Sequence, residues 1–229
     1  MRKLLAISSV VAAALMIAIA AGATAPRPAD LATSNLNTAA GHLTALKGKT
    51  SYQASAFPIA VRLTTPDGRW TGSQWTTSSH GKRMFGWLAV GHGGTTSTSP
   101  PNGVITIVTA FGSTPSIAAT VARIHAGGSG ITFEASSPVM IAGFSGTQFD
   151  GNVWGIYGHT FVPFTPKTRR ASPADSWHID KGEAFRFDVL TVRGKTVVAF
   201  LESFGLSADQ FPAFLTDAGR LLASLAFPR

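Results

Sequence analysis

Residues 183–227 constrain the chain most. Phe185, Phe187 and Val189 alternate with Arg186 and Asp188, the period of a half-buried strand. Arg193-Gly194 follows, and Gly supplies the positive φ of a tight hairpin turn. The return segment Thr196-Val197-Val198-Ala199-Phe200-Leu201 does not alternate. It is apolar on both faces, which predicts a central strand with a layer above and below. A helix supplies one cover, because Phe211, Phe214, Leu215, Ala218, Leu221, Leu222 and Leu225 fall on one helical face. Pro212 costs no intrahelical bond in a first turn, so Asp209 is a better cap than Ser207. Burying each large side chain contributes about 1.5–3 kcal/mol, so Phe211 and Phe214 read as core rather than as a ligand site.

The remaining chain follows the same logic. The segment 57–63 reads as a strand, and Thr65-Pro66-Asp67-Gly68 as a turn. Trp70 and Trp75 fall in a polar stretch that reads as a loop. Strands are predicted over 84–90 and 104–108. Thr114-Pro115 opens a helix with Thr as cap, and Ile117, Val121 and Ile124 form its apolar stripe. Strands follow near 131–134, 139–142 and 152–162, with a turn at Gly143-Phe144-Ser145-Gly146. Helices and strands do not alternate regularly. The fold class is therefore α+β, with a mostly antiparallel β-sheet flanked by helices, rather than a doubly wound parallel sheet.

The N-terminus sets the compartment. Arg2-Lys3 precedes an apolar run ending in small residues, the pattern of a secretory signal. Cleavage after Ala23 or after Ala25 fits, and the run is long enough to serve instead as a membrane anchor. The organisation reads as a leader at 1–23, a spacer at 24–50 with a weak helix over 31–46, and one domain at 51–229. There is no Cys, so stability rests on a hydrophobic core rather than on disulfides. The formal charge is +8, and +6 without Arg2 and Lys3. In an exported chain that excess suits anionic envelope polymers or lipid headgroups and is not read as nucleic-acid binding; it also serves solubility. Its clearest cluster is Lys167, Arg169 and Arg170.

Catalytic patterns are thin. A serine hydrolase needs Gly-x-Ser-x-Gly at a strand-to-helix turn. Gly143-Phe144-Ser145-Gly146-Thr147 lacks the last Gly and leads into a strand, and Gly91-His92-Gly93-Gly94 only resembles an oxyanion loop. The six histidines form no metal-binding helix motif; His178-Ile179-Asp180 puts two ligand types on one side of an extended segment. His159 reads as a loop tether. No metal or other cofactor is called for. Trp70, Trp75 and Trp177 are either exposed stacking surfaces or rings folded over the core rim.

Ser137-Pro138-Val139-Met140-Ile141-Ala142-Gly143-Phe144-Ser145-Gly146-Thr147-Gln148-Phe149-Asp150 resembles a hairpin of secreted actinobacterial proteins with a PsbP-like fold, including the LpqN-type lipoproteins. Val192-Arg193-Gly194-Lys195-Thr196-Val197-Val198 and the helix ending Leu222-Ala223-Ser224-Leu225-Ala226-Phe227 are similar to the same group. The resemblance spans about 57–227. It implies an antiparallel sheet sandwiched between helices and a non-catalytic accessory or binding role at membranes. It offers no catalytic residues to carry over, and this chain lacks the lipobox Cys.

The expectation is an exported, non-enzymatic binding domain, secreted or held at the extracellular face of the membrane. Its partner would be an anionic envelope polymer, a lipid surface or another exported protein. The ligand-facing surface expected is the loop 163–180, with Lys167, Arg169, Arg170 and Trp177. The alternative is a secreted serine hydrolase using Ser145 or another Ser with one of the histidines.

Overall fold

The computed structural model describes residues 27–33, 43–94, 101–126, 130–155, 158–161, 163–164, 177–207 and 209–228. Four short strands come first: β1 (Ala29–Asp30), β2 (Thr44–Ala45), β3 (Ser51–Ala54) and β4 (Val61–Thr64). Three long ones follow, β5 (Trp70–Ser79), β6 (Lys82–His92) and β7 (Gly103–Ala110), then helix α1 (Ile117–His125). Next are β8 (Ile131–Phe133), β9 (Ser137–Ile141), β10 (Phe144–Val153), β11 (His159–Phe161) and β12 (Trp177–Ile179). The chain closes with β13 (Ala184–Val192), β14 (Lys195–Glu202) and α2 (Phe211–Ala223).

Three hairpins share one turn chemistry. His80-Gly81, Ala142-Gly143 and Arg193-Gly194 all take positive φ at both residues, the type I′ geometry whose twist matches that of paired strands. They join β5 to β6, β9 to β10, and β13 to β14. The turn at 142–143 therefore begins one residue earlier than the sequence suggests, and Phe144 already belongs to β10.

The main sheet runs β2-β5-β6-β7-β14-β13-β10-β8, with β9 also on β10. Its pairings are antiparallel. β14 lies between β7 and β13, as its two-sided apolar sequence requires. Val197, Ala199 and Leu201 enter one core, while Val198 and Phe200 enter the other. The first core also holds α2 and the small sheet β1-β3-β4; the second holds Ile124 of α1 and the β11-β12 hairpin.

The architecture is α+β and mostly antiparallel, but the covers are not helices alone. Eight strands at 4.7–4.9 Å spacing span roughly 34 Å, whereas α1 and α2 are only about 14 and 20 Å long. The small sheet β1-β3-β4 adds cover on the first face and the β11-β12 pair on the second. No helix among the described residues is long and apolar enough to cross a membrane.

Several local expectations change. The first large strand over 57–63 becomes β4 alone, with Phe57 and Ile59 buried in the preceding turn. Trp70 and Trp75 lie in strand β5, not in a loop, and both are buried. The segment read as a spacer supplies β1 and β2, and Leu31 and Leu46 pack into the first core. The strand read over 152–162 divides, since β10 ends at Val153 and β11 begins at His159. Ser116, not Thr114, caps α1, accepting from the Ala119 N–H at 3.2 Å. Thr114 Oγ1 instead accepts from the Thr196 N–H at 2.8 Å. Gln210, not Asp209, occupies the cap of α2, and its Oε1 accepts from the Ser207 N–H at 3.2 Å. Pro212 does sit in the first turn.

Candidate functional site

Strand period places Ala184, Arg186 and Asp188 on the face of β13 opposite Phe185, Phe187 and Val189. That face belongs to the α2 side of the sheet, where Leu190 and Val192 join the first core. Near Arg186 and Asp188 the cover is incomplete. A cavity of about 290 Å³ opens between α2 and β9, lined by Val139, Ile141, Asp188, Leu201, Leu215 and Gly219, among others. Leu215 also lines a neighbouring depression of about 610 Å³, with Asp150, Trp154, Phe185, Phe211 and Pro212. Arg186 lines the first hollow and Asp150 the second, so their ion pair spans the two. Together they form a trough along the underside of α2.

Its walls are largely apolar, with Glu134, Asn152 and Lys181 also lining the second hollow, and its floor is charged. Across β10 and β13, Gln148 pairs with Asp188 and Asp150 with Arg186. Arg186 Nε and Nη2 donate to the two Asp150 carboxylate oxygens at 2.6 and 2.7 Å, a bidentate fork. Asp188 is only 2% exposed, and its Oδ1 has no hydrogen-bond partner among the described residues. Burial pushes its carboxyl up to about 7; the Arg186 charge opposes this shift and the Asp150 charge adds to it. Two large apolar side chains stand out in solvent at the trough, Met140 (73% exposed) on one side and Trp154 (64%) on the other. Another hollow, of about 340 Å³ beside Gln53, Phe57 and Arg62, has no unpartnered buried side-chain polar atom in its lining.

The expected ligand-facing surface fares differently. Lys167, Arg169 and Arg170 lie outside the described residues. Trp177 opens β12, and its ring is buried in the second core. It meets Trp87 edge-on at 5.2 Å and tilts against Phe200 at 5.4 Å. That packing removes Trp177 from any stacking surface and corrects its assignment as a ligand contact. A surface Trp does exist at Trp154, but a single aromatic between Val153 and Gly155 carries no periodic signal that marks it. Asp188 was visible only as the polar phase of an alternating strand, which normally means solvent.

The hydrolase pattern is not assembled among the described residues. Ser145 sits in the β9-β10 hairpin, on a strand rather than at a strand-to-helix elbow, and no Ser hydroxyl bonds a histidine there. His178 and Asp180 do approach, Nε2 to Oδ1 at 3.4 Å, and Thr160 Oγ1 lies 3.2 Å from His178 Nδ1. All three are exposed on the β11-β12 hairpin. No group of three or more His, Asp or Glu suited to a metal ion occurs among the described residues. His159 packs its ring edge-on against Phe161 at 4.9 Å. His92 lies 4.7 Å from the Trp70 ring and 3.5 Å from Asp217, and burial, then the Arg69 charge, holds it below the usual histidine range.

The chain matches no protein-family model and no curated protein. Among solved structures it is similar to the solution structure of the cyanobacterial PsbP protein CyanoP from Synechocystis sp. PCC 6803. That match has 10% identity, covers 80% of this chain and 94% of the other, and has a TM-score of 0.43. It is also similar to LpqN, described as involved in cell envelope biogenesis of Mycobacterium tuberculosis. There the identity is 11%, the coverage 81% of this chain and 83% of that one, and the TM-score 0.30.

Proposed function

We propose that this chain is an exported, non-catalytic binding domain of PsbP-like type that works at the cell envelope by holding a small amphipathic molecule in the trough beneath α2. The observation that carries the reading is the trough itself. It has apolar walls, a few convergent polar groups at its floor and two exposed apolar side chains at its lips, the usual anatomy of a small-molecule site. The N-terminal leader supports export. Lys167, Arg169 and Arg170 supply a second contact, to an anionic envelope polymer, a lipid surface or another exported protein.

The test uses N-phenyl-1-naphthylamine, whose emission rises in apolar sites. The mature chain should enhance and blue-shift it. Gly219→Leu should remove most of that signal, because a Cβ at Gly219 meets nothing within 4 Å and a longer side chain can extend from open space beside the trough. No enhancement by the wild-type protein, or equal enhancement by Gly219→Leu, would overturn the reading.

A further inference from the structure

We propose that the molecule held in the trough carries a protonated amine, and that Asp188 is its counter-charge. This rests on the reading of the trough as a ligand site.

Asp188 cannot turn away from the cavity by moving its backbone. It sits inside the sheet, paired with Gln148 on β10 and with Ala199 on β14. Its carboxyl is nonetheless buried with Oδ1 unpartnered. Burying an unpartnered polar group is unfavourable, more so when it is charged, so an apolar residue of similar size would suit a purely structural role better.

The cation beside it is already committed. Arg186 gives Nε and Nη2 to Asp150, so that pair is close to neutral and Asp188 is the acid left over. In the hollow that Asp188 itself lines, the other walls bring no compensating charge; Lys181 and Glu134, one cation and one acid, line only the neighbouring depression. From α2 come Leu215, Gly219 and Leu222; from β9, Val139 and Ile141; from β14, Leu201. From β10 come Gln148, whose amide is neutral, and Asp150, which adds negative charge.

The ligand chemistry follows. A carboxylate would be repelled by Asp188. A hydroxyl would donate one hydrogen bond but bring no charge. An ammonium brings three donors and the missing positive charge. Its N–H groups match Asp188 Oδ1 and the Gln148 amide oxygen, while an attached alkyl body lies along Leu215 and Leu222.

The experiment titrates the mature full chain at pH 8 with n-octylammonium, n-octanol and octanoate, read by calorimetry. Octylammonium should bind at least about tenfold more tightly than octanol, and octanoate should be weakest. Asp188→Asn keeps shape and removes charge; it should lower octylammonium affinity to the octanol level and leave octanol unchanged. In the wild type, octylammonium affinity should rise from pH 5 to pH 8 as Asp188 ionises, and Asp188→Asn should abolish that rise. Equal binding of octanol and octylammonium, or an unchanged affinity in Asp188→Asn, would overturn the amine assignment while the trough stands, provided Gly219→Leu still blocks both. If none of the three binds the wild-type chain, the trough reading falls and the amine proposal with it.

Discussion

Arg186 of β13 and Asp150 of β10 face each other directly across the ladder, joined by two parallel hydrogen bonds of 2.6 and 2.7 Å. Each side chain is about one quarter exposed, so water screens the pair less than it would at the open surface. Asp150→Ala leaves the guanidinium without its fork and should cost about 1–3 kcal/mol. Arg186→Lys keeps the charge but loses the planar geometry, and should cost less than Asp150→Ala. Urea unfolding of both variants checks the order.

The stability that two buried carboxyls contribute should fall as pH rises from about 4 to 8. Burial raises Asp188 from 3.8 to about 7. It raises Glu202 from 4.5 to about 8, with Glu183 and Asp180 adding repulsion, although part of the Glu202 surface reaches solvent. A carboxyl with a raised folded value holds its proton better folded than unfolded. Its contribution is therefore complete below the unfolded value and lost as pH passes the folded one. Asp188→Asn should remove the part of the decline that ends near pH 7, and Glu202→Gln the part that ends near pH 8. Melting temperatures from pH 4 to 9, taken as differences from wild type, would refute this if the variants tracked the wild-type curve.

Gly219 lies inside α2, and a Cβ there meets nothing within 4 Å. Glycine within a helix costs about 0.8–1.0 kcal/mol relative to alanine. Gly219→Ala should therefore stabilise the protein by about that amount, raising the denaturation midpoint, while leaving most of the trough open.

Ser224 fastens the end of α2 to β4. Its Oγ accepts from the Thr64 N–H at 2.9 Å and lies within hydrogen-bond distance of the Thr64 and Leu221 carbonyls. Ser224→Ala orphans that N–H and should cost about 1–2 kcal/mol. Hydrogen exchange should show the loss first at Thr64, ahead of the central strands.

Trp177 distinguishes a core role from a surface one. Trp177→Ala should cost about 3–5 kcal/mol by opening a cavity against Trp87, Phe187 and Phe200. At a temperature where the variant stays folded, naphthylamine binding should be unchanged, because Trp177 lines neither hollow of the trough. A stable variant with impaired binding would reverse that placement.

The local part of this fold was written in the sequence. The β13-β14 hairpin, the two-sided core strand β14, the apolar face of α2 and the antiparallel α+β class follow from side-chain period and from Arg193-Gly194. These depend on residues close together in the chain. Strand β5 was hidden, because Thr71, Ser73, Gln74 and Thr77 look like loop residues yet are buried. The Ser73 and Thr77 hydroxyls find no partner among the described residues, but the polarity of Gln74 is met by distant ones. Gln74 Nε2 donates to the Leu31 carbonyl at 2.8 Å, and its Oε1 accepts from the Ala56 N–H at 2.7 Å. The same contacts draw residues 29–33 into the domain. Asp188 is the sharpest case. Alternation placed it on the same side of β13 as Arg186, but alternation cannot say whether that side meets water. The packing of α2 and β9 over the sheet decided it, because burial is a property of what comes to lie opposite a residue, and those neighbours are remote in sequence.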